Sequence, residues 1–464
     1  MSLARPARAP RRAPTELTFE LDDALLESWA SREPGWLGAE RRAAFDRWRS
    51  LPIETNQLYT TYVDLRTADL ADVRPWDVSG DAPVGSGIAR PPEGSAGLAE
   101  FEDDRVEAIV LDEAATAAGV ALETLEGLVR REPDAARRLL TDAGSLPADD
   151  RLAQLSRAGW NQGVVLRVPD GVRLERPIVV RWRVGASGRA LITRTIVELG
   201  AGASASFVEE LEPSAAASLA SSSAASGTSP QSLFSGTLEV HLGRGAELAV
   251  ASIQDLALST VVFQQRHAEI GEGASLRWAV AQLGGRLVRS RVDNRLAGDR
   301  SSVEQVEIVF GAADQLFDLT SYTRHVGRDT TGNLLSKGAL MDASKSYMKG
   351  LIVIEPTAIG TDSFLGEFGM NLSKQARAVA IPSLEIDQPD CRRAAHSSSV
   401  GPIDETQLFY LESRGIPADE ARKFIVLGFL EPVVARVPLA EAQDRLRELL
   451  EAKWDAGVAA PAAA

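Results

Sequence analysis

The chain has 464 residues, 44% apolar and 25% charged, with a formal net charge of -15, so it exceeds one ordinary domain and has ample capacity for buried cores. No run of about 18 or more uninterrupted apolar residues is present, which excludes a helical membrane span, and the negative charge argues against broad nucleic-acid binding. A single cysteine, Cys391, rules out an intrachain disulfide framework and suits a reducing compartment.

The opening MSLARPARAPRRAP is basic and proline-rich, without the apolar run of a secretory signal, and residues 1–15 read as a disordered tail. Leu21, Leu25, Leu26 and Trp29 recur at helical spacing before Pro34, with Phe45 and Trp48 beyond it, predicting two short helices. LYTTYVDL reads as a strand-like piece among Pro/Gly-rich loops, and LETLEGLVRREPDAARRLL restores helical periodicity. Residues 16–150 are therefore expected to be a mainly helical N-terminal region.

From Trp160 short segments such as VVLRV, IVVRWRV, LITRTIVEL and GTLEVHL alternate, rich in Val and Ile and separated by turn residues. They predict a long β region over 151–400. G-x-G-A recurs at Gly200–Ala203, Gly243–Ala246 and Gly271–Ala274, each copy between two strand-like runs, so these are read as tight corners of stacked coils or of a sandwich. The Ser/Ala-rich stretch from Pro213 to Ser232 is expected to be a flexible surface loop.

The strand pattern stops before Asp404. That residue is placed to cap a helix bearing Leu408, Phe409 and Leu411, with Gly415 as terminator. A second helix is predicted to start at Pro417, and a third to turn Leu439, Leu446, Leu449 and Leu450 inward. Residues 401–455 are thus a small helical domain, and 456–464 a tail.

Catalytic motifs are missing. There is no phosphate-binding G-x-x-x-x-G-K-[ST] loop, no G-x-S-x-G elbow and no H-E-x-x-H pair, so any ATP-driven step belongs to a partner. His241, His267 and His325 fall in strand-like segments and read as structural or exposed imidazoles. His396 sits in AAHSSSVGP, read as a linker at a domain junction, where functional residues concentrate. Arg392 and Arg393 follow Cys391, whose simplest role is a packed thiol.

The segment IPSLEIDQPDCRRAAHSSSVGPIDETQLFYLESRGIPADEARKFIVLGFLEPVV, Ile381 to Val433, resembles the C-terminal signature of the SufB/SufD family of iron–sulfur cluster assembly proteins. Its P-x-L-E-I strand, junction histidine, V-G-x-I-D-E-x-Q-L-F-Y-L-x-S-R-G-I helix start and A-x-x-x-I-x-x-G-F helix occur in order, and the likeness extends over residues 160–435. The resemblance implies a mainly β fold: a right-handed parallel β-helix core flanked by helical domains. It also implies pairing with a SufB-type paralogue through the core and docking of a SufC-type ATPase on the C-terminal helices, around Arg414, Gly415, Gly428 and Phe429. SufB-type chains carry a cysteine in a C-D-S element where this chain reads Thr361, Asp362 and Ser363, so the SufD type is expected, with the SufB type as the alternative.

One thiol cannot hold a cluster that usually takes four. The chain is therefore expected to bind no cofactor alone and to have no catalytic residue of its own. A shared iron or iron–sulfur intermediate would sit at the SufB interface, with His396 as its one metal-directed imidazole. The location implied is cytoplasmic, without nucleic acid or membrane, with a homodimer as the state in isolation. A polysaccharide-active β-helix enzyme is the reading from another class. Truncation after Pro402 is expected to abolish ATPase binding and leave the β core folded.

Overall fold

The computed structural model describes residues 12–77, 91–142, 146–215, 217 and 230–459. The sequence-predicted N-terminal tail and the Ser/Ala-rich loop lie largely outside these residues. The strands are β1 (Arg74–Pro75), β2 (Gly97–Glu102), β3 (Arg105–Leu111), β4 (Ala121–Thr124), β5 (Gln162–Val168), β6 (Ile178–Val184), β7 (Arg189–Leu199), β8 (Ser204–Pro213), β9 (Ser232–Leu242) and β10 (Glu247–Gln254). They continue as β11 (Thr260–Ile270), β12 (Ser275–Gln282), β13 (Leu287–Leu296), β14 (Ser302–Gly311), β15 (Leu316–His325), β16 (Thr331–Leu340), β17 (Lys345–Ile354), β18 (Asp362–Asn371), β19 (Arg377–Ile386) and β20 (Arg393–Gly401). From β5 onward the odd strands stack in parallel in one sheet and the even strands in the other. The result is a parallel β-solenoid of about eight coils, in which each coil buries its inward side chains against the coils above and below.

The glycine pattern sets the corners. Gly202, Gly245 and Gly273 have φ of +66, +67 and +63, and the same left-handed corner position is taken one and two coils later by Arg300 and Asp329. At each corner the amide of this residue donates to a carbonyl of the next corner, as Gly245 does to Glu272 and Arg300 to Arg328, both at 2.8 Å. The first glycine of each copy serves close approach instead: a Cβ on Gly271 would fall 2.6 Å from the Leu242 carbonyl oxygen. These observations decide between stacked coils and a sandwich.

Inward positions alternate with outward ones along every strand. Leu276, Trp278 and Val280 of β12 face inward, with Val262 and Phe317 of the opposite sheet, in the largest core cluster. Outward Ala279, Ala281, Val306 and Ile308 are buried under Val426, Leu430, Val433, Leu446 and Leu450 of the helices Ala418–Val434 and Ala440–Ala459. Truncation after Pro402 would therefore uncover a large apolar face of the even sheet. The last helix also runs to Ala459, past the boundary expected at 455.

The N-terminal region mixes helices with short strands. Asp23–Ala30 and Gly35–Ser50 are helices on either side of Pro34, but β2, β3 and β4 join the two sheets, with β3 antiparallel to β2 and β4 antiparallel to β5. They occupy the edges of the first coil, which would otherwise be unpaired. LYTTYVDL is no strand: it holds a 3-10 turn at Thr60–Tyr62. Tyr59 and its neighbours strap the outer face of the odd sheet, where Tyr59 stacks on Tyr322 with ring centroids 6.2 Å apart. Beneath the strap, Glu54 and Asp318 hold the buried Arg289, and Asp318 also binds Lys349.

Candidate functional site at the open end of the solenoid

The two sheets end differently at their two extremities. At the first coil β3 and β4 cover the edges; at the last, among the described residues, β19 pairs only with β17 and β20 only with β18. Among the described residues no strand pairs with the outer edges of β19 and β20, where the Ala378 amide donates to Asn371 Oδ1 at 3.0 Å. β20 consists of small residues, RAAHSSSVG, and apolar Ile386 and Val400 are 45% and 40% exposed.

His396 belongs to β20, not to a linker. The segment AAHSSSV carries no alternating apolar signal, and its strand state comes from in-register pairing with β18, Leu365 opposite His396 and Glu367 opposite Ser398. Parallel partners face the same side, so His396 lies on the lumen face, where buried Leu365 packs with Leu334, Ile352 and Ile354. No coil covers His396, and it is exposed. Cys391, half-buried, rests against this same small cluster.

Thr361 is fully buried, and its hydroxyl donates to the Ala358 carbonyl at 2.9 Å. Next to it, Ser363 donates to the Gly332 carbonyl, so His325 Nε2 is the donor in its 3.0 Å contact with Ser363, and Thr330 meets His325 Nδ1 at 2.8 Å. Burial pushes the His325 imidazole down to about 4. His325 is thus a neutral, fully engaged core histidine. His241 and His267 likewise lie within β9 and β11, and Asp293 lies 3.0 Å from His267 Nδ1. Among the described residues no group of three or more His, Cys, Asp or Glu is gathered closely enough to hold a metal ion.

The helical appendage begins at Asp404, whose carboxylate accepts from the Thr406 amide at 2.8 Å. The helix Glu405–Ser413 buries none of its residues. It leaves Phe409 70% and Tyr410 57% exposed, and Phe424 on the following helix is equally bare at 57%. Arg414 stacks on Tyr410 with its guanidinium 5.3 Å from the ring centroid, and Gly415 takes φ +87 in the turn. Gly428 has open space where a Cβ would stand. Phe429 points the other way: it packs on the core beneath the helix, with Lys337 Nζ 4.6 Å over its ring and bonded to its carbonyl at 3.0 Å. Of the four residues expected here, Arg414, Gly415 and Gly428 lie where a partner can reach them and Phe429 anchors the helix. Tyr410 and Phe424 were not singled out from sequence, because exposure of an aromatic on an apolar-rich helix has no sequence signature distinct from core packing.

The core-domain model of the SufBD family of the SUF iron–sulfur assembly system matches residues 182–429. A SufBD-family iron–sulfur cluster assembly protein of Mycobacterium tuberculosis is 33% identical over 225 residues, which is 47% of this chain and 57% of that protein. The iron–sulfur cluster assembly protein SufD of Bacillus subtilis is 27% identical over 337 residues, 72% of this chain and 74% of its own. A SufBD-family protein of Staphylococcus epidermidis is 26% identical over 329 residues, 69% and 68% of the two chains. The match thus spans less than two thirds of the mycobacterial relative.

Proposed function

The chain belongs to the SufBD family of iron–sulfur cluster assembly proteins, and from that premise we propose that it is the SufD-type scaffold half of a cluster-assembly complex, without catalysis of its own. The observation that carries the reading is the asymmetry of the solenoid: one extremity is sealed by antiparallel strands, the other leaves two adjacent strand edges open. Two unpaired edges of ten and nine residues are a template for adding another β core, and a SufB-type chain is the partner proposed. The absent thiol at Thr361 supports the SufD rather than the SufB type.

The bare aromatics Phe409, Tyr410 and Phe424, together with Arg414 and Gly415, support docking of a SufC-type ATPase, which would supply the energy this chain has no phosphate loop to harvest. His396 would meet the partner's face across the open end and offer its imidazole to iron or to a transferred intermediate. No described helix is long and apolar enough to cross a membrane; a cytoplasmic location is proposed with the family's chemistry.

Co-expression with SufB-type and SufC-type proteins tests each contact separately. Val400→Glu should abolish pairing with the SufB-type chain while circular dichroism stays native. Phe409→Ala with Phe424→Ala should release only the ATPase, and His396→Ala should slow cluster formation in a complex of normal stoichiometry. Native pairing by the first variant overturns the edge reading, and normal cluster formation by the third overturns the role of His396. A purified chain whose mass is twice its own and which ignores the SufB-type protein would make the open edge a homodimer contact.

A further inference from the structure

β19 is the last strand of the odd sheet and pairs in unbroken register with β17. Arg377 and Asp387 donate to the Ser344 and Ile354 carbonyls, so the odd-numbered amides of β19 face β17 and the missing N–H of Pro382 faces the open edge. Around this point two side chains bind the backbone. From outside, the Tyr59 hydroxyl of the N-terminal strap donates to the Gly350 carbonyl at 3.0 Å. From the lumen, the Glu367 carboxyl of β18 accepts from the Ile381 amide at 2.8 Å. Gly350 makes room for that carboxyl, since a Cβ there would fall 2.8 Å from Glu367 Oε1.

Glu367 is 1% exposed. No ion pair to it is formed among the described residues, and its in-register neighbours Ser336 and Ser398 are neutral. On β17 and β19 the facing positions Gly350 and Pro382 carry no charge. The titratable groups around it are few: His396 two residues from Ser398 on the exposed lumen face of β20, Glu307 two coils deeper in the same column, and Tyr59 on the other side of the odd sheet. Lys349 beside Gly350 faces outward and is committed to Asp318. Without a cation, ionising this carboxyl in place is costly.

We propose that Glu367 is a proton-held latch: in its neutral form it fixes β19 at the Ile381 amide, and loss of its proton frees the terminal strand. Burial raises its carboxyl to about 8, which puts the transition within reach of ordinary buffers. The sign follows from linkage. The latched state binds the proton more tightly than the released state, so latching is complete at acid pH and weakens as pH rises through the folded value. If the open edge receives a second β core, as the proposed function has it, the order of the strand offered to that partner becomes proton-dependent.

Hydrogen–deuterium exchange of the full chain, corrected for the intrinsic base-catalysed rate, tests the latch without any partner. Protection of the peptide 377–386 should fall from about pH 5 to 8, by up to about tenfold per pH unit for one linked proton, and level off above 8, while peptide 345–354 holds steady. Glu367→Gln, which keeps a neutral acceptor, should flatten that profile, and Tyr59→Phe should lower protection equally at every pH. Flat protection of 377–386 in the wild-type chain overturns the proposal even if the variants fold poorly. An unchanged slope in Glu367→Gln assigns the release to another group and also overturns it. Pairing with a SufB-type chain is not read in this assay, so a failure of that reading leaves the outcome intact.

Discussion

The middle coils and the last coil are built from the same alternation but meet different surroundings. In β12 and β13, Trp278 donates its Nε1–H to the Asn294 side chain at 2.9 Å, inside a lumen filled by the coils on either side. In β19 and β20 the corresponding inward positions have a neighbour on one side only, and most of their residues are half-buried or exposed. What is core in one coil is therefore surface in the other, although the strand period is identical. In a solenoid, burial is decided by whether a further coil follows.

Core truncation should show the contrast at its largest. Trp278→Ala removes a fully buried indole and takes from Asn294 Oδ1 the donor it accepts from, for a loss of about 4 kcal/mol in denaturant unfolding. Leu384→Ala, at an inward position of the last coil, should cost under about 1.5 kcal/mol. Equal losses would mean that the last coil is as enclosed as the middle ones.

The corners give the second contrast. Gly271→Ala drives a methyl group against the Leu242 carbonyl oxygen and should cost about 3 kcal/mol. Gly401→Ala at the end of β20 meets nothing within 4 Å and should stay within about 0.5 kcal/mol.

Proton linkage gives two buried titratable groups of the solenoid opposite signs. Burial raises the Glu307 carboxyl to about 7 and lowers the His325 imidazole to about 4. Stability held by neutral Glu307 is complete below the ordinary carboxylate value near 4.5 and is lost as pH rises through 7. His325 works in the opposite sense: stability is complete above the ordinary imidazole value near 6.5 and falls as pH drops toward 4. Glu307→Gln should therefore flatten the alkaline limb of stability against pH and His325→Asn the acid limb, each by on the order of 3 kcal/mol.

Legibility in sequence followed the same division. The G-x-G-A corners were readable because a left-handed φ and a close backbone approach both demand glycine, and the motif disappears from view only where Arg300 and Asp329 take over the left-handed position. The C-terminal helices were readable from Asp404, Gly415 and the leucine spacing. β20 was not, because its small residues carry no pattern and its strand state is imposed by β18. The strap at Tyr59 escaped for a related reason: its aromatic run looks like a strand, and only the outer face of the odd sheet shows what it covers. At the candidate site, His396, Arg414 and Gly415 were found through the family resemblance, whereas the lumen-facing side of His396 and the carboxyl of Glu367 emerge only from register.

The smallest expected effect discriminates most finely. Ile386 ends β19 with nearly half of its surface in solvent, so Ile386→Ser in the isolated chain should change the unfolding free energy by less than about 0.5 kcal/mol. If a second β core adds to this edge, that side chain becomes covered, and removing its apolar area weakens the complex by about 1–2 kcal/mol. The same substitution is then nearly silent in denaturant titration and several-fold to tenfold or more in a pairing titration. A change in the first measurement without one in the second would mean that the end of β19 is held by this chain alone, and that the edge it presents is not the surface where a partner adds.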